Sequence, residues 1–81
     1  MNATETLKQA CYDCHRAIFG PTPLQVRIDD IYEEAEELRL YTDEENLKEE
    51  ASDLLSSLFC LAYEKGWTIQ ELVQMNLDKM A

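Results

Sequence analysis

Glycine and proline are scarce in this 81-residue chain, at two of each, which excludes a fold rich in tight turns. Each of the four sits where a helix would stop or start. Basic residues are scarce too: seven Lys and Arg stand against seventeen Asp and Glu, for a net charge of -10. Seven scattered cations cannot neutralise a run of phosphates, so polymeric nucleic acid is excluded as a partner. No apolar run approaches the roughly 18 residues that a bilayer span needs, so no membrane is expected either. The opening MNATETLKQA lacks the basic and apolar regions of a secretory signal, which points to a cytoplasmic protein whose Cys11, Cys14 and Cys60 are reduced.

What is present is apolar enough to fold, with 46% hydrophobic residues. Surface scaling gives about 5,000 Å² exposed when folded against roughly 13,600 Å² unfolded, so only about 63% would be buried. Such a chain is marginal alone. The expectation is one domain over residues 1–81 that gains burial by self-association as a dimer or tetramer.

The punctuation and period predict an all-α, four-helix-bundle subunit. Helix 1 is expected from about Glu5 to Phe19, ended by a left-handed Gly20. Thr22-Pro23-Leu24-Gln25 reads as a capped start for helix 2, which runs to about Leu40. Thr42-Asp43-Glu44-Glu45 opens helix 3, which ends near Lys65 before Gly66, and Thr68-Ile69-Gln70-Glu71 opens a short helix 4. Apolar residues recur in steps of three and four: Leu7, Cys11, Cys14 and Ile18, then Leu24, Ile28, Ile31, Ala35 and Leu38, then Leu47, Ala51, Leu54, Leu58 and Leu61. Helix 3 carries a second apolar face in Leu55, Phe59 and Ala62, and is expected to pack on two partners.

Most of the acids read as a solvated face, but four do not. Turning 100° per residue from Ile31, Glu34 falls near about -60° and Glu37 near about -120°. The same count from Leu47 on helix 3 puts Glu50 near about -60° and Asp53 near about -120°. Helices 2 and 3 are joined by a short turn around Thr42 and must run antiparallel. Glu34 and Glu50 lie about eight residues either side of that turn, so they are level within roughly one turn of 5.4 Å. Carboxylates across such a seam need neutralising. A hard divalent cation such as magnesium, with manganese as a substitute, does this through oxygen ligands. On geometry alone a second reading stays open, in which Glu34, Glu37, Glu50 and Asp53 line the bundle edge and pair with Arg27, Arg39 or Lys48.

Glu33-Glu34-Ala35-Glu36-Glu37 followed by Glu50-Ala51-Ser52-Asp53 resembles the EExxE and ExxD motifs of the MazG-like nucleoside triphosphate pyrophosphohydrolases. The resemblance extends from about His15 to Lys79, with Asn76 and Lys79 in the place of a family Asn and Lys that help hold the nucleotide. It implies an all-α dimer or tetramer that cleaves a nucleoside triphosphate between its α and β phosphates, releasing the monophosphate and pyrophosphate. By position, Glu34, Glu37, Glu50 and Asp53 would bind magnesium, and Glu33 would support those ligands or help orient water, although its helical angle faces away from the others. Asn76 and Lys79, with Arg27 on the shoulder of Glu34, would meet the substrate. Many members of the family continue past this Lys with more basic residues, which this chain does not. The rival reading is a non-catalytic helical interaction module with solvated acidic edges.

Cys11-Tyr12-Asp13-Cys14-His15 also matches the C-x-x-C-H pattern of covalent haem attachment. That use would need an export signal and a second axial ligand, for which only Met75 and Met80 offer themselves. The two cysteines fall instead on the apolar stripe of helix 1, where free cysteine behaves as a small hydrophobe. A zinc site from Cys11, Cys14, His15 and Cys60 has the right ligand types but only one pair on one helix.

Overall fold

The computed structural model describes residues 2–81, and among them it has four helices and no strand. These are α1 (Ala3–Phe19), α2 (Leu24–Arg39), α3 (Glu44–Lys65) and α4 (Ile69–Met80). None is long and apolar enough to cross a membrane. Helix α3 is central, packed along one side by α2 and along another by α1, while α4 rests only lightly on α1. Helix α3 thus packs on two neighbours from the same chain, although Ala51, Leu55 and Leu58 of its predicted faces stay exposed.

The helix ends follow local chemistry. Asn2 caps α1, accepting from the Glu5 amide at 2.9 Å. Helix α3 closes in a Schellman turn: Gly66 is left-handed at φ 72°, ψ 22°, Trp67 N donates to Ala62 O, and Gly66 N donates to Tyr63 O. Thr68 and Glu71 form the reciprocal capping box expected at α4.

Two expected caps move by one residue, and one glycine differs. Asp43, not Thr42, caps α3, accepting from the Asn46 amide at 2.8 Å, and Asn46 in turn accepts from the Thr42 amide at 3.0 Å. At α2 the capping position is Pro23, which has no side-chain acceptor. With the start shifted, Gln25 no longer occupies the reciprocal position and donates to Asp29 instead. Gly20 has the predicted positive φ of 71°, but its ψ of -162° is extended rather than left-handed helical.

The interior is small. Among the described residues only Cys60 and Ala62 are fully buried apolar residues, while Leu7, Ile18 and Phe19 of α1 are 60%, 68% and 67% exposed. The stripe predicted for helix 1 is therefore mostly outside, and Cys14 with it. The accessible surface is 6027 Å², about 1,000 Å² more than a compact protein of this mass exposes. On α4, Leu72, Val73, Met75, Leu77 and Met80 are also exposed.

Polar contacts replace part of the missing core. Glu5 accepts from the Ile69 amide at 2.7 Å, closing the start of α4, while Lys8 pairs with Glu5 and donates to Trp67 O at 2.7 Å. The Lys8 ammonium, the Ile69 amide and its neighbour hold the Glu5 carboxyl below its ordinary pKa against a smaller opposing effect of burial.

Candidate metal centre

The seam between α2 and α3 carries the acidic residues singled out above. One carboxylate oxygen from each of Glu34, Glu50 and Asp53 lies within 4.8 Å of the others. Glu34 comes from α2, and the other two come from α3 one turn apart, because a spacing of three residues puts both on one face. Asn46, the residue that closes the cap of α3, also donates to Glu50 Oε1 at 3.2 Å and so steadies it.

The oxygens on the inner side are unsatisfied. Glu34 Oε2 and Glu50 Oε2 are both buried and have no hydrogen-bond partner among the described residues. A buried acceptor without a donor is costly, and two of them on members of one acidic group favour a cation there. Burial pushes the Glu34 carboxyl above its ordinary pKa, and the charges of Glu37, Asp53 and Glu50 add to that shift. Among the described residues no basic side chain pairs with these acids: Arg39 is bound to Glu36 at 2.7 Å, Arg27 to Glu64 at 2.8 Å, and Lys48 forms no salt bridge. The pairings with Arg27 and Arg39 that would have made these acids an ordinary bundle edge are therefore spent elsewhere.

All-oxygen donors that converge, with one member exposed, suit a hard divalent ion that keeps water in part of its shell. They do not suit a soft metal. The cysteine cluster offers no competing site, since among the described residues Cys11, Cys14, His15 and Cys60 do not gather within ligand range. Burial also pushes the Cys60 thiol up, which keeps it protonated.

Sixty residues of the chain, 22–81, match the family model of the MazG nucleotide pyrophosphohydrolase domain. The chain belongs to this family. No curated protein and no solved structure matches it significantly. The MazG span takes in α2, α3, α4 and every acidic residue of the centre, and leaves α1 outside.

Within that span the other expected residues divide. Glu37 stands close enough to Glu34 to raise its pKa, without being one of the three whose oxygens converge. Glu33 is exposed and outside the group, in keeping with its helical angle. Asn76 and Lys79 are exposed on α4, the helix that rests lightly on α1. Arg27 is held in the interior. It is 3% exposed and forms a two-pronged pair with Glu64, its Nε and Nη2 donating at 3.0 and 2.8 Å, so its charge is turned into the α2–α3 seam.

Sequence reasoning missed a cavity of about 520 Å³ beside the centre, lined by Glu34 and Asp53 and continuing past Asp30, Ser56 and Ser57 to His15 and Phe19. Asp30 had a visible signal, since it precedes Glu34 by four residues and shares its shoulder.

Proposed function

We propose that residues 1–81 form one domain that acts in the cytoplasm as a magnesium-dependent nucleoside triphosphate pyrophosphohydrolase, cleaving between the α and β phosphates to give the monophosphate and pyrophosphate. The observation that carries this reading is the convergence of Glu34, Glu50 and Asp53 in a MazG domain, two of them with a buried, unpartnered oxygen. Glu34, Glu50 and Asp53 hold the cation, Glu37 completes the donor set, and manganese serves as a substitute. A divalent ion bound there supplies charge neutralisation for the phosphate oxygens and lowers the pKa of a coordinated water. Exposed Asp53 leaves the centre open on the cavity side, where a triphosphate enters. Glu33, outside the donor set, supports those ligands or helps orient the attacking water.

The working form is a homo-oligomer. The excess of about 1,000 Å² over the scaling value is close to what one partner buries in a standard interface, about 800 Å². The exposed apolar residues of α1 and α4 supply that surface. Asn76 and Lys79, which in one subunit lie on a helix apart from the acids, meet the phosphates held by another subunit.

The test is incubation with each common ribo- and deoxyribonucleoside triphosphate, in magnesium and in EDTA, with products separated by chromatography. Monophosphate and pyrophosphate, lost in EDTA and in Asp53→Asn, are expected. No turnover together with no cation-specific thermal shift would refute the reading and favour an interaction module.

A further inference from the structure

The cavity beside the acidic centre is graded in polarity along its length. Starting from Glu34 and moving toward the start of α2, Asp30 lies one turn away, about 6 Å, and Val26 two turns, about 12 Å. Pro23 and Thr22 follow at the end. Helix α3 runs the other way, and Ser56 and Ser57, three and four residues after Asp53, line the same cavity. His15 and Phe19 of α1 line the same cavity, their rings 4.6 Å apart and tilted by 44°. The lining thus passes from clustered carboxylates, through one carboxylate with two hydroxyls, to prolines, valine and aromatic rings. A nucleotide has the same order: phosphates, then a hydroxylated sugar, then a flat apolar-faced base. The volume suits a ligand of that class.

We propose that Asp30, in the cavity that Ser57 also lines, binds the sugar of the substrate by accepting hydrogen bonds from its 2′- and 3′-hydroxyls, and so makes the site selective for ribonucleotides. This rests on the acidic centre being the triphosphate end. Asp30 is half-buried and stands apart from the three convergent oxygens, so it is not one more cation ligand. Among the described residues Asp30, Ser56 and Ser57 make no side-chain hydrogen bonds, and their capacity is free. An ionised carboxylate only accepts. Next to the acidic centre it repels a phosphate and takes neutral donors, and a vicinal diol offers two O–H donors to its two oxygens. The Ser57 hydroxyl, in the lining of the same cavity, can donate to or accept from that sugar. Beyond the sugar, the His15 and Phe19 rings form a wall for the base, and His15 Nδ1 is buried there without a partner.

The test compares ribo-, 2′-deoxyribo- and 2′,3′-dideoxyribonucleoside triphosphates of one base by kcat/KM, for the wild type, Asp30→Ala and Asp30→Asn. Each lost hydroxyl should reduce the wild-type value by about tenfold, the worth of one hydrogen bond to a charged group. Asp30→Ala should level the three, and Asp30→Asn, which keeps one acceptor, should retain part of the ladder. Magnesium should stabilise both variants thermally as it does the wild type. Binding of the three corresponding monophosphates in magnesium, followed by NMR titration, reads the same discrimination without turnover. If no triphosphate is hydrolysed, the pyrophosphohydrolase reading fails, yet a ribose preference in monophosphate binding that Asp30→Ala removes would uphold the sugar site. Equal binding of the three by the wild type, or an unchanged ladder in Asp30→Ala, would overturn it.

Discussion

Substituting Glu34 by Gln should have opposite effects on stability with and without a cation. Its carboxylate shares a space 4.8 Å across with those of Glu50 and Asp53. Two unit charges at that distance repel by about 3.5 kcal/mol at an effective dielectric of 20 and by about 0.9 kcal/mol in water. Asp53 is exposed, so the screened value applies better, and removing both repulsions of Glu34 should stabilise the metal-free fold by about 1–2 kcal/mol. For a domain of this size that is a rise of about 5–15 °C in Tm. The pH dependence has a definite sign. Because Glu34 has a raised pKa in the folded state, the wild type in EDTA holds its proton more tightly when folded and loses stability as pH rises through that pKa. Glu34→Gln does not titrate, so its advantage should open as pH rises and close on acidification. Magnesium should reverse the order, since a ligand at a hundredfold excess over its Kd adds about 2.7 kcal/mol to the wild type. The assay is thermal melting in EDTA and in magnesium over a pH series. A variant no more stable than the wild type in EDTA, or equally stabilised by magnesium, would refute the cation-site argument.

Further outcomes follow from other parts of the molecule. Arg27→Ala should lower stability by about 3 kcal/mol in denaturant unfolding, toward the low end for breaking a buried ion pair because Glu64 keeps 23% access to water; a loss under 1 kcal/mol would contradict the geometry. Glu5→Gln should increase hydrogen exchange at the α4 amides, and in the wild type that protection should fall as pH drops through the lowered Glu5 pKa, since a depressed carboxylate stabilises only while ionised. Gly66→Ala should cost about 1 kcal/mol in Tm analysis because φ is 72° there, with Gly66→Asn tolerated better. Sedimentation should give a dimer or tetramer, and charged substitutions at Leu7 and Ile18 should shift it toward monomer if α1 supplies the contact.

Local rules were legible where one residue decides them. Gly66 ends α3, and the Thr68–Glu71 box opens α4, because each depends on a few neighbouring atoms. Thr42 lost its place to Asp43 because two good capping residues adjoin, and only the first hydrogen bond of the helix chooses between them. The matched heights of Glu34, Glu50 and Asp53 were also legible, since a short turn forces α2 and α3 antiparallel. Periodicity locates an apolar face but not what covers it, so Leu7 and Ile18 were expected inside and lie outside. Arg27 could not be placed because its partner, Glu64, is 37 residues away, and helical angle alone fits both a cavity and a seam.

That pair gives Arg27 a role after all, through geometry rather than substrate contact. Three like charges on facing helices push α2 and α3 apart or along each other until a cation joins them. A two-pronged ion pair tolerates little displacement, and a slip of one helical turn, about 5.4 Å, would break it. Arg27 precedes Glu34 by two turns, so the contact that holds Arg27 to Glu64 also holds Glu34 level with Glu50 and Asp53. Buried ion pairs add little net stability over apolar side chains of the same shape, but they penalise every other register. An apolar pair such as Arg27→Met with Glu64→Leu should therefore preserve stability while weakening magnesium affinity, because it fills the seam without fixing the height of the carboxylates. Magnesium titration of the double variant, followed by thermal shift, measures this. Wild-type affinity in a fully folded double variant would show that the register is held by packing alone.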